Sequence, residues 1–135
     1  MEQEQINSLL AEIISMYSPS SSQKAVKKVI SKLATSSIEE QIASDGIPYA
    51  AVKNAFASCG TILKEYPTEN AAAGVILAGA ANMNPAFVII WIENNILHII
   101  AQAKEGLIKQ HTAEKAIQKL VAAVQGKRQL NEKNI

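Results

Sequence analysis

Between Asn70 and Ala103 the chain carries one formally charged side chain, Glu93. A stretch this long and this apolar belongs inside whatever the chain builds, because leaving it in water forfeits the main driving force for folding. Its first half, Asn70–Met83, is an Ala/Gly run that includes Val75, Ile76 and Leu77. Small side chains at Ala71, Gly74, Ala78 and Ala81 predict a helix packed close to a neighbour. The second half, Phe87–Ala103, is dense in β-branched residues, with Glu93-Asn94-Asn95 at its centre. It reads either as a buried helix or as a hairpin. β-Branching and flanks of common strand length favour a hairpin over about residues 87–102. Asparagine tolerates the positive φ that a two-residue turn at Asn94-Asn95 requires. In that register Trp91 faces His98 and Ile90 faces Ile99. Residues 71–92 have the length of a membrane span. Asn82, Asn84 and Pro85 interrupt it, so a core segment is expected instead.

Elsewhere the spacing is helical. Ile6, Leu9, Leu10, Ile13, Ile14 and Tyr17 form one stripe, which Pro19 and its neighbouring serines end. Val26, Val29, Ile30 and Leu33 form a second. Ser36 and Ser37 stand three residues before Glu39 and Glu40, two overlapping capping-box patterns that predict a short helix holding Ile38 and Ile42. Asp45-Gly46 closes it. Pro48 suits the first turn of a helix running to about Glu65, with Val52, Phe56, Cys59 and Leu63 inside. Thr112 caps a last helix, and Gly126 ends it. The expected architecture is therefore mainly α: a single helical-bundle domain over 1–126 with an inserted β-hairpin, then a flexible polar tail over 127–135. A length of 135 residues suits one domain.

The chemistry-bearing residues are sparse. Cys59 is the single cysteine, which excludes an internal disulfide and a cysteine-cluster metal site. Its apolar setting predicts an inert thiol. His98 and His111 form no ligand pattern, and no serine elbow or glycine-rich phosphate loop exists. Glu39-Glu40 is explained by capping and Glu93 by a turn. The expectation is a non-enzymatic chain without cofactor or metal. The acidic start Met1-Glu2-Gln3-Glu4 does not resemble a secretory leader, so a cytoplasmic protein without a membrane anchor is expected.

Charge layout says more. Net charge is only +1, yet residues 19–36 hold Lys24, Lys27, Lys28 and Lys32 and no acid. Lys24, Lys28 and Lys32 are four apart and share one helix face, a surface suited to tracking phosphates. Lys115 and Lys119 extend it if the terminal helix lies alongside. Residues 1–18 hold only acids: Glu2, Glu4 and Glu12. Ile38–Phe56 also roughly fits a helix-turn-helix, though its second helix presents Lys53 as its one base.

The lysine helix Gln23-Lys24-Ala25-Val26-Lys27-Lys28-Val29-Ile30, the hairpin Phe87-Val88-Ile89-Ile90-Trp91-Ile92 to Ile96-Leu97-His98-Ile99-Ile100, and Lys104-Glu105-Gly106-Leu107 together resemble the small subunit of archaeal type I-A CRISPR effector complexes. That resemblance implies an accessory subunit in antiviral defence, with non-specific backbone contact to nucleic acid, self-association and no catalysis. The rival reading is a protein-interaction module, an immunity or scaffold protein, docking through its apolar hairpin or Ala/Gly helix.

Overall fold

A computed structural model describes residues 1–17, 37–103 and 111–133, the side chains of Ala80 and of 127–133 excepted. The lysine helix expected over Lys24–Lys32 lies outside the described residues. The architecture is mixed α/β rather than a helical bundle. Helix α1 (Gln3–Tyr17) precedes strand β1 (Ile38–Ala43), helix α2 (Tyr49–Cys59) and strands β2 (Thr61–Tyr66), β3 (Ala71–Ala78), β4 (Asn84–Glu93) and β5 (Ile96–Gln102). Helix α3 (Thr112–Lys133) closes the order. The five strands form one antiparallel sheet in the order β1-β5-β4-β3-β2. Helix α1 covers one face, and α2 and α3 cover the other.

The apolar stretch supplies the middle of this sheet. Asn94 and Asn95 both take positive φ, 54° and 61°, and turn β4 into β5. Trp91 pairs with His98 and Ile90 with Ile99, the register expected from the turn. The hairpin is not an insert. Strands β3 and β1 flank it on either side, so both of its edges are spent. Alternate residues serve two cores: Val88, Ile90, Leu97 and Ile99 meet α2 and α3, while Ile89, Trp91 and Ile100 lie on the α1 side. Each fully buried aliphatic side chain contributes about 1.5–3 kcal/mol.

Three expected helices are corrected. The Ala/Gly run is strand β3. Its small side chains do permit close approach, but what they admit is helices against both faces of a central strand, and such a strand is apolar on both sides. Ile38–Ala43 is edge strand β1, not a capped helix. Ile38 and Ile42 are four apart, a separation that shares one face in either conformation, and pairing with β5 decides. This removes the helix-turn-helix. Helix α2 stops at Cys59 rather than Glu65. A Cβ at Gly60 would stand 2.4 Å from the Val75 carbonyl oxygen, so glycine lets the chain swing into β2. Gly74 faces the same crossing, 2.0 Å from the Thr61 oxygen, beside the register shift at Ile62/Lys64. Finally, α3 runs through Gly126 to Lys133.

Candidate functional site

The first turns of α1 and the ends of β3 and β4 leave a groove of about 560 Å³. Helix α1 is amphipathic: Ile6, Leu9, Leu10 and Ile13 are buried on the sheet, so Gln5, Ser8 and Glu12 fall beside the groove. Trp91 belongs to its wall, opposite Ala71 of β3, which has no side chain beyond Cβ. Tyr66, Glu69 and Glu93 complete the rim. A second depression of about 440 Å³ shares Gln5 and Ser8 with the first and adds Glu2 and Glu4.

Trp91 is 6% exposed, and its Nε1 meets no acceptor. Its indole stacks on the His98 ring with centroids 4.8 Å apart and planes 3° from parallel. His98 Nδ1 stands 3.9 Å from Glu39 Oε1, beyond hydrogen-bond range. A buried donor left without any partner costs about 1–3 kcal/mol. The acids around the groove differ in what they already hold. Glu12 takes the ammonium of Lys64, which also lies 5.5 Å from the centre of the Tyr66 ring. Glu93, 58% exposed, has the Met1 ammonium 3.8 Å away, and Glu69 is exposed. Hydrogen bonding to Glu12 raises the Lys64 pKa above the ordinary lysine value.

Across the sheet, a polar cluster ties α2 to the β2–β3 pair. The Tyr49 hydroxyl lies 3.1 Å from both Glu65 Oε1 and the Ala71 carbonyl oxygen, and Lys53 Nζ lies 3.0 Å from Glu65. Burial, then the Glu65 carboxylate, pushes the Tyr49 pKa well above the usual phenol value. The Lys53 hydrogen bond holds Glu65 below the usual carboxylate range, with Tyr49 assisting. Through these contacts the cluster clamps α2 to the β2–β3 pair. Burial likewise raises the Cys59 pKa, and its Sγ lies 3.4 Å from the Ala55 oxygen as a donor, which leaves it a poor nucleophile.

Of the expected nucleic-acid residues, Lys115 and Lys119 lie among the described residues. Lys24, Lys27, Lys28 and Lys32 lie outside the described residues. Lys115 is exposed on α3. Lys119, one turn on, is engaged: its Nζ donates to the Leu77 carbonyl at 2.9 Å and to Asn82 Oδ1 at 2.6 Å. It anchors the β3–β4 turn. His111 and Glu114 make a surface pair at 3.8 Å. The sequence reading passed over the groove. Its two available signals were Glu93, the isolated charge, and Trp91, the single tryptophan. Glu12, Tyr66 and Glu69 join them only through the fold.

Among the described residues no group of three or more His, Cys, Asp or Glu could hold a metal ion, and no helix is long and apolar enough to cross a membrane. Comparison with known proteins found no matching family model, no matching curated protein and no matching solved structure.

Proposed function

We propose that this chain is a non-enzymatic protein-interaction module whose docking site is the groove beside α1. The observation that carries the reading is a groove of ligand-binding size between α1 and the ends of β3 and β4, walled in part by Trp91 and rimmed by Tyr66, Glu69 and Glu93. The docking surface differs from the one the sequence suggested, because the hairpin is enclosed by its neighbours and the Ala/Gly segment is an interior strand. A free, partly buried thiol at Cys59 suits a reducing, cytoplasmic setting.

Trp91 is the sole tryptophan, so its emission reports directly on the site. Peptides selected from an unbiased display library on the full chain are expected to shift that emission. Ser8→Phe, which fills the groove from the exposed side of α1, is expected to abolish the shift with the circular dichroism unchanged. Selected peptides that bind Ser8→Phe as well as the unaltered chain would overturn the reading.

A second reading, contact with nucleic-acid backbone within a larger assembly that includes self-association, draws on exposed Lys115 and on the lysines of residues 19–36. Its test is a titration with single-stranded and duplex nucleic acid at two salt concentrations. Affinity that falls steeply with salt and drops when Lys24, Lys27, Lys28 and Lys32 are changed to Ala would support it. Binding indifferent to both would remove it.

A further inference from the structure

We infer that His98 is a pH-sensitive staple for strand β1: with its ring protonated it pairs with Glu39 and holds the outer strand on β5, and with its ring neutral it lets go. His98 Nδ1 is buried and meets no hydrogen-bond partner. Glu39 Oε1 stands 3.9 Å from it, and the indole of Trp91 lies parallel to the ring at 4.8 Å. A neutral imidazole carries one N–H. If Nδ1 holds it, the hydrogen reaches no acceptor; if Nε2 holds it, Nδ1 accepts from nothing. Protonation gives both nitrogens a hydrogen. Nδ1–H then donates to the carboxylate in a charge-assisted bond, and the cation rests on the indole face. The Glu39 side chain is half exposed, so a movement of about 1 Å brings it to hydrogen-bond distance. Gln41 Nε2, 3.2 Å away, already steadies the same oxygen.

The charged groups on this side of the sheet are few among the described residues. Strand β5 carries none besides His98 itself. Strand β4 carries Glu93, which has the Met1 ammonium 3.8 Å away. Helix α1 turns Ile6, Leu9, Leu10 and Ile13 towards this face. On β1, Glu40 is paired with Ile99 of the opposite core and so falls on the other face. Glu39 is paired with Ile100, on the same face as Trp91 and His98. The contact therefore crosses from β1 to β5, the one strand that β1 pairs with in the described sheet. The carboxylate is beside the ring only while β1 is paired. The contact accordingly stabilises the paired strand when His98 is protonated, and that gain is lost as pH rises through the imidazole range, about pH 5 to 8. Opening of β1 bares the edge of β5, an apolar strand edge able to accept another strand.

The test is amide hydrogen exchange of the full chain, followed residue by residue by NMR and expressed as protection factors, which remove the intrinsic pH dependence of exchange. The window runs from about pH 5.5 to about pH 8, above the ordinary glutamate range. Protection of the β1 amides is expected to be about threefold greater at the acid end, while protection of central strand β3 stays level. Glu39→Gln keeps the shape of an exposed side chain and removes its charge, and it is expected to erase the threefold difference. His98→Gln is expected to do the same. Trp91, the sole tryptophan, supplies an independent readout. An imidazolium stacked on an indole quenches it, so emission is expected to fall on acidification in the parent chain and to stay level in His98→Gln. Equal β1 protection at both ends of the window, a difference that persists in Glu39→Gln, or parent emission that does not change across the window would overturn the inference.

Discussion

Single side chains carry sharply different weights in this molecule. At Gly74 a Cβ would stand 2.0 Å from the Thr61 carbonyl oxygen and 2.9 Å from Ile62 Cα, both backbone atoms that cannot swing aside. Gly74→Ala is expected to cost about 2–3 kcal/mol, read as a lower urea midpoint at unchanged slope. Gly126 is the contrast. It lies within α3, and a Cβ there meets nothing within 4 Å, so Gly126→Ala is expected to gain about 0.5–1 kcal/mol in the same assay. Tyr49→Phe deletes the hydroxyl between Glu65 and the Ala71 oxygen and is expected to cost about 1–2 kcal/mol. A Tyr49→Phe variant as stable as the parent would show that water replaces the clamp freely.

At the scale of elements, the β4–β5 hairpin was the most legible part of the chain. Its turn needs two residues at positive φ, and asparagine supplies them at Asn94 and Asn95. Asn95→Val is expected to cost about 1–2 kcal/mol, because a β-branched side chain resists that backbone, whereas Asn95→Gly is expected to be neutral or better. Helix α1 was equally legible, since its apolar stripe is a one-sided signal. Strands β1 and β3 were not. The glutamates that imitate a capping box are the exposed residues of an outer strand among those described. The alanines of β3 have weak strand preference by themselves, and they are a strand because both neighbours and both faces are already in place. The end of α2 was hidden for a related reason: Leu63 continues the helical spacing, while Gly60 answers to a carbonyl of β3 that is distant in sequence.

At the scale of the whole molecule, Glu2, Glu4, Glu12, Glu69 and Glu93 border the two depressions beside α1, with Lys64 held by Glu12 and the Met1 ammonium 3.8 Å from Glu93. Stability should follow pH through the groups whose acidity folding alters. Glu65 is held below the ordinary glutamate value of 4.5, chiefly by Lys53. A depressed folded value means its contribution is complete above about pH 4.5 and is lost as pH falls through the lower folded value. The urea midpoint is therefore expected to decline in that acid window, and Glu65→Gln is expected to flatten the decline. An unchanged profile in Glu65→Gln would assign the acid sensitivity to other carboxylates.

Composition and local pattern alone determined that residues 70–103 would form the interior, that 87–102 would turn back on itself at two asparagines, and that α1 would lie with one face buried. These follow from hydrophobicity and backbone sterics, which each residue carries with it. Tertiary structure alone decided that Ala71–Ala78 and Ile38–Ala43 would be strands and that Trp91, Tyr66, Glu12 and Glu69 would share one groove. Sheet pairing and groove assembly join residues far apart in the chain, and short-range spacing holds no record of such partners.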